Sequence, residues 1–365
     1  MRRALVGLLM LALPALAQDQ DRKRVEESVH RGLAWLAAHQ DVHTTGQWDC
    51  DDFGKHDKQR GKGRGQALYD PGVSGLAIMA FLGAGHTDRG AKAQNPYAKN
   101  VRMGLRYLMT IQDDEGCFGP RASQHFIYNH VMATRAMVTA WGLTRNPRYQ
   151  KPAQAGVDFL TKARNPQMAW RYDPRGGEND TSVTAWAVMA LKSAQFAGLV
   201  VDPDAFEGAR AWVKKTTDPN NGRIGYIQPG GVSARYKIAV KRFPATEAEA
   251  MTAAGIYIRQ LTKEDRASKA IRDGTRLIVR KPPRWREPQL DMIYWFFATL
   301  ALSEVGGNDW DQWKRSVRNV LLQKQAQDGS WDPAGPWGYA GGRIYSTALM
   351  TMCLQTTSRP AAVAR

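Results

Sequence analysis

The chain has 365 residues, and its 51 Lys and Arg against 34 Asp and Glu leave a formal charge of +17. That length suits one large or two ordinary domains. No zinc finger, helix-turn-helix or RNA-binding aromatic signature occurs, so the basic surplus speaks of anionic surfaces in general and nucleic acid is disfavoured as a partner.

Arg2 and Arg3 precede an apolar run from Ala4 to Leu13, and Ala15-Leu16-Ala17 forms a small-residue cleavage site before Gln18. This is the pattern of a secretory signal peptide. The run is too short for a transmembrane helix, and no cysteine follows that would carry a lipid. Residues 1–17 are therefore expected to be removed after Ala17. The remaining chain, 18–365, is exported to the periplasm or the extracellular space with a formal charge of +15. Its basic residues crowd into three runs, 55–64, 235–242 and 280–286.

From Val25 onward one construction recurs. Val25, Val29, Leu33 and Leu36 keep helical spacing, and Gly32-x-x-Trp35-Leu36 is followed by Gln40 and Trp48. Val101, Leu105 and Leu108 form the next stripe, with Gly104-x-x-Tyr107-Leu108 leading to Gln112 and Phe118. Gly156-x-x-Phe159-Leu160 leads to Trp170, and Ala209-x-x-Trp212-Val213 to Ile224. The fifth copy, Gly274-x-x-Leu277-Ile278, lacks this ending, although Trp285 lies nearby in a proline-rich loop. Val317-x-x-Val320-Leu321 closes the series with Gln325 and Trp331. One apolar stripe per segment marks amphipathic helices.

Between these lie segments apolar on nearly every side: 73–84, 131–143, 183–199, 250–261, 290–305 and 347–354. A helix that is hydrophobic all round is buried all round. Asp70 with Pro71, Asp180 before Thr181-Ser182, and Thr246-x-x-Glu249 read as N-terminal caps. Gly83, Gly85, Gly142, Gly198 and Gly306-Gly307 stand where C-terminal caps belong. Six buried helices alternating with six amphipathic ones close as a ring within a ring. The predicted fold is all-α, an α6/α6 toroid forming a single domain. The aromatic after each turn packs between neighbouring hairpins, and the glutamine amide bonds backbone left open at the outer helix end.

The alternation, and above all Gln325-x-x-x-Gly329-x-Trp331, resembles the repeat of the prenyltransferase and squalene-oxidosqualene cyclase superfamily. Gln112-x-x-x-Gly116-x-Phe118 is a near match, and Asp180-Thr181-Ser182-Val183-Thr184-Ala185-Trp186 resembles inner-helix starts of squalene-cyclase-like bacterial proteins. The resemblance implies a central apolar cavity. It does not imply catalysis, because the repeat motif is structural.

Asp49-Cys50-Asp51-Asp52 carries the letters of the acid motif of squalene–hopene cyclases, yet it runs into a hydrophilic, glycine-rich loop where aspartates stay ionised. Better placed are the acids at the starts of the buried helices: Asp70, Asp180, Glu247 and Asp291. Asp180, Glu247 and Asp291 are the candidate catalytic acids, the last because the run after it is so apolar. Tyr128, His130, Trp141, Trp186, Tyr294, Trp295 and Tyr345 are the candidate cavity residues. Cys50 and Cys117 occupy equivalent turns and are expected to form a disulfide, whereas Cys353 reads as a buried small hydrophobe. No Asp-x-Cys pair, Cys-x-x-Cys or His-Glu-x-x-His occurs, so neither metal nor cofactor is expected.

Three readings follow. The first is an exported toroid that binds an isoprenoid-like or other extended apolar ligand, or a protein partner, without turnover, its basic rim facing an anionic surface. The second is a terpenoid cyclase with an inner-helix acid as proton donor, and the third a carbohydrate-active hydrolase or lyase with two opposed carboxylates.

Overall fold

The computed structural model describes residues 2–57, 62–91, 93–123, 125–231 and 237–358, with side chains from Asp19 onward except at 237, 238, 240 and 245. Parts of the first two basic runs, residues 58–61 and 235–236, lie outside the described residues. Helices account for the architecture, and among the described residues only isolated β-bridges occur. The outer helices are α1 (Arg2–Ala38), α3 (Ala98–Thr110), α5 (Pro147–Ala163), α7 (Asp204–Thr216), α10 (Lys269–Val279) and α12 (Gly307–Lys324). The inner ones are α2 (Asp70–Gly83), α4 (Phe126–Thr144), α6 (Thr181–Phe196), α9 (Ala250–Leu261), α11 (Met292–Val305) and α13 (Gly338–Ser358), and the short α8 (Lys237–Arg242) belongs to an insertion. Around the inner ring α2 packs on α4, α4 on α6, α6 on α9, α9 on α11, α11 on α13 and α13 on α2. The ring is closed.

Repeat residues form a staple at three of the junctions. The turn glutamine donates to its own turn glycine and to the next outer helix: Gln40 to Gly46 O at 2.8 Å and Asn100 O at 3.0 Å, Gln112 to Gly116 O and Pro152 O, both at 3.0 Å. Gln325 makes the same pair with Gly329 O and Ser28 O at 2.8 Å, joining the last unit to the first. Its carbonyl oxygen accepts from Ser28 Oγ at 2.7 Å and from Arg31. The amide therefore reaches across to the neighbouring unit, further than the outer helix end it was expected to serve. The turn tryptophan serves that end instead: Trp48, Trp170 and Trp331 indoles donate to Leu36 O, Leu160 O and Leu321 O at 2.7–2.9 Å.

Glycine is required at these turns. Gly329 has φ +95°, and a Cβ there would lie 2.4 Å from the Arg31 carbonyl oxygen; Gly46 and Gly116 repeat this against Met103 O and Ala155 O. Only glycine takes that backbone so close to a neighbour at no steric cost. The glycine opening three of the repeats then receives the preceding unit's aromatic ring, Trp331 on Gly32, Trp48 on Gly104 and Phe118 on Gly156.

Several expectations are corrected. Asp70 is the first residue of α2 rather than its cap, since its carboxylate accepts from Cys50 N at 2.8 Å. The Thr246–Glu249 capping box does not form, because Glu249 pairs with Arg223 and accepts from Thr252 Oγ1 at 2.9 Å. α13 begins nine residues earlier than its apolar run, through a glycine-rich stretch broken at Gly342, φ +63°. Cys50, Cys117 and Cys353 are all buried free thiols, and the expected Cys50–Cys117 disulfide is absent. Equivalent turns are one staple apart, and the two thiols have separate partners, Cys50 with Asp70 and Cys117 with Arg121.

Gln325→Ala deletes the amide bonds that join the last unit to α1 and leaves Gly329 O without its Gln325 donor. It is expected to lower unfolding stability by about 2–4 kcal/mol, read from denaturant unfolding at constant m-value. A loss below about 0.5 kcal/mol would show that closure does not depend on this amide.

Candidate functional site

The inner helices run the same way, so their first turns meet at one end of the ring. There a cavity of about 100 Å³ receives residues from all six: Gly72 and Val73 of α2, Tyr128 and Met132 of α4, Ser182 of α6, Met251 of α9, Ile293 of α11 and Tyr345 of α13. Tyr69, His125 and Trp337 also line it, each standing one residue before an inner helix, and Tyr172 joins them from the loop before α6. One turn deeper, Trp186 of α6 stacks on Phe296 of α11 at 5.4 Å and meets Phe297 edge-on at 5.1 Å. This aromatic plug makes the cavity shallow.

Polar groups in the wall are engaged by protein. Tyr128 Oη donates to Ser182 Oγ at 3.0 Å, and Asn129 accepts from Gly72 N and donates to Leu68 O. Among the described residues no carboxylate lines the cavity. Outward of it lies a vestibule of about 860 Å³, sharing Tyr69 and walled by Arg64, Gln66, Arg242, Phe243, Glu287 and the 333–339 segment. Two of the basic runs thus supply Arg64 and Arg242 to one opening, and the third ends beside Glu287, which pairs with Arg242.

Asp180 is joined to this site by hydrogen bonds. It is wholly buried, caps α6 by accepting from Val183 N at 2.7 Å, and accepts from Tyr226 Oη at 3.2 Å. Tyr226 Oη in turn lies 2.6 Å from Tyr172 Oη, so a chain of hydroxyls joins the acid to the cavity wall. Burial pushes Asp180 up to about 7, against the opposing effects of the Val183 amide, Tyr226 and Arg171.

The other expected acids lie elsewhere. Asp291 is buried as the cap of α11, accepting from Tyr294 N at 3.0 Å. Glu247 stands outside the cavity, beside Lys281 at 3.6 Å and Gln289 at 3.3 Å. The Asp49–Asp52 tetrad also misses it. Asp49 pairs with Lys55 at 3.1 Å, and Asp49, Asp51 and Asp70 place oxygens within 4.8 Å of one another. Burial raises Asp70 to about 7.

Of the expected cavity residues, Tyr128 and Tyr345 line it and the remaining five do not. His130 is buried between α4 and α5, its Nδ1 accepting from Phe118 N at 3.1 Å and its Nε2 bonding Gly156 O at 3.1 Å. Ser74, Thr184, Thr252 and Thr347 accept from the equivalent amides of Trp48, Trp170, Ile224 and Trp331, so His130 fills a repeat position. Burial drives its pKa down to about 3. Tyr294 donates to Ile278 O and Lys281 O at 2.9 Å, replacing the tryptophan missing from the fifth unit. Trp141 lies near the far end of α4 under Arg145, and Trp295 packs by Trp285 at 5.8 Å.

The chain matches no protein-family model and no curated protein by sequence. Solved structures do match. A type II terpene cyclase from Scytonema, in complex with geranylgeranyl dihydroxybenzoate, superposes with TM-score 0.60 at 10% identity over 93% of this chain and 98% of its own. An inactive variant of an α-1,6-mannanase from Salegentibacter sp., in complex with α-1,6-mannotetrose, gives 0.58 at 11% over 92% and 98%. A possible member of glycoside hydrolase family 105 from Salmonella enterica gives 0.54 at 11% over 92% and 94%. The fold is an α/α toroid. Proteins of quite different chemistry share it, so function rests on the site.

Because Asp180 titrates near 7 when folded and near 3.8 when unfolded, its contribution is fully present below pH 3.8 and lost as pH rises through 7. Asp180→Asn retains the cap and removes the charge. The variant's stability relative to the unaltered protein is expected to rise between pH 5 and 8, measured by urea unfolding at each pH. A difference that stays flat over that range contradicts the assignment.

Proposed function

We propose that the protein binds an apolar, isoprenoid-like chain at the mouth of its inner helix ring, without turnover, after export with removal of residues 1–17. The observation that carries this reading is the composition of the cavity wall, where six inner helices contribute apolar and aromatic groups and, among the described residues, no carboxylate. Pockets of this kind bind by burial of apolar surface, with few polar groups fixing orientation. At about 100 Å³ the cavity takes the end of a chain, and the vestibule takes the remainder. Among the described residues no helix is long and apolar enough to cross a membrane, so the ligand would be met at a surface or in solution. The basic opening suits an anionic surface.

Carbohydrate cleavage has less support. A glycosidase needs two carboxylates facing one another across a groove, whereas Asp180 and Asp291 cap their helices and Glu247 lies outside. The terpenoid-cyclase reading has one observation in its favour, the buried Asp180 linked through two tyrosines to the wall.

Ile293→Trp adds an indole to the cavity from α11. It is expected to weaken binding of a fifteen-carbon isoprenoid hydrocarbon by at least about tenfold, close to 1.4 kcal/mol, in a fluorescence titration. Unchanged affinity in a folded variant would place the ligand elsewhere. Arg64→Glu with Arg242→Glu is expected to reduce retention on vesicles containing anionic phospholipid, and to leave retention on zwitterionic vesicles as it was. Equal retention by both proteins on anionic vesicles would remove the membrane role from this opening.

A further inference from the structure

We infer that the bound chain ends in one negatively charged group, a carboxylate, and that Arg64 and Gln66 receive it in the vestibule. The inference rests on the apolar-ligand reading and adds to it the chemical class: a long-chain acid, hydrocarbon in the cavity and monoanionic outside it.

The segment that carries Arg64 is fastened on both sides of that residue. Arg343 N donates to Gly63 O at 2.9 Å, Gln66 N donates to Ala340 O at 2.8 Å, and Gly65 N donates to Cys50 O at 2.8 Å. The Arg343 side chain adds a bond from Nε to Lys62 O at 2.9 Å. Two glycines make this seam possible. A Cβ on Gly65 would lie 2.5 Å from Ala340 O, and one on Gly342, φ +63°, would lie 2.5 Å from Gly65 N. The glycine-rich opening of α13 is therefore the seat of the 62–66 strap. Gly65 faces α13 and Gln66 is extended, with φ −132° and ψ 133°. Side chains two apart on an extended chain share a side, and Arg64 and Gln66 both line the vestibule. Three residues after Gln66, across the single turn Ala67–Tyr69, Tyr69 lines vestibule and cavity alike. The polar pair and the apolar hollow are thus neighbours along one strapped segment.

Charge counting gives the head group. Three guanidinium groups stand at this edge, and acids hold two of them. Glu287 takes Arg242 with both carboxylate oxygens. Asp332 takes Arg343, which also donates to Ser330 Oγ at 2.9 Å. Arg64 is exposed, and among the described residues its guanidinium has no ion pair or hydrogen bond. One surplus positive charge matches one negative charge. A guanidinium presents two parallel N–H groups to a carboxylate, and the Gln66 amide can donate a further one. A dianionic head would have to draw Arg242 away from Glu287 and leave that carboxylate without its partner.

The test titrates the full-length protein with three probes of one fifteen-carbon isoprenoid chain: the acid, its methyl ester and the hydrocarbon. At neutral pH and low salt the acid should bind about threefold to fivefold more tightly than the ester, the worth of one exposed ion pair. High salt should shrink that preference. Arg64→Gln should abolish it and leave ester and hydrocarbon affinities as they were. Lys62→Gln removes an equal charge from outside the vestibule wall and should keep the preference. Equal binding of acid and ester by the unaltered protein, or a preference that survives in Arg64→Gln, overturns the inference while hydrocarbon binding persists. So does a phosphate monoester of the same chain that binds more tightly than the acid, since it contradicts the charge count. If neither the ester nor the hydrocarbon binds, the apolar-ligand reading fails as well.

Discussion

The structure depends on the staple that ties outer helices together at three junctions, α1 to α3, α3 to α5 and α12 to α1. A glutamine amide, a glycine of positive φ and an aromatic ring act together, and none replaces another. The glycine permits the contact, the amide donates to that glycine's carbonyl and to one in the next outer helix, and in the last unit the Trp331 ring fills the space above Gly32 while its N–H serves the outer helix end. Helix ends leave carbonyls unpaired, and a ring of twelve helices has many such ends. The turn tryptophan satisfies such an end within its own unit, and the glutamine amide adds a bond between units that helps turn a row of hairpins into a closed annulus. Because the last staple joins Gln325 to α1, the annulus has no terminal unit exposing an unpaired apolar face.

From that closure the site follows. Six inner helices pointing one way bring six first turns to one end, and loop aromatics immediately upstream of them form the mouth. The axis below is filled by Trp186 and Phe296, so depth is limited by packing rather than by backbone. An apolar hollow in such a place is a consequence of the architecture, and its specificity belongs to the few residues lining it. Structures sharing the toroid include a terpene cyclase and a mannanase, which shows how little the ring itself decides.

The repeat and the buried helices were legible because they are periodic: a stripe of apolar residues or a wholly apolar run states its own environment. The start of α13 was not, since residues 338–342 are glycine-rich and have no apolar period. Chemically versatile residues misled most. His130 stands where four other units have serine or threonine, and Tyr294 where the fifth unit lacks its tryptophan. Both resemble site residues only until their repeat position is recognised. The Asp180–Tyr226–Tyr172 chain was invisible for the opposite reason. Its members are separated by up to 54 residues, and nothing in local sequence pairs them. A sequence signal for the mouth did exist: Tyr69, His125 and Trp337 each immediately precede an inner helix.

The account stands on an axial hollow that accepts hydrocarbon. Native mass spectrometry of the exported protein, isolated without detergent from the cells that make it, tests this most directly. The expected spectrum contains a protein-bound species whose added mass fragments as a branched, mostly hydrocarbon molecule. A bound oligosaccharide, or ligand-free protein that takes up no isoprenoid hydrocarbon when one is supplied, would contradict it.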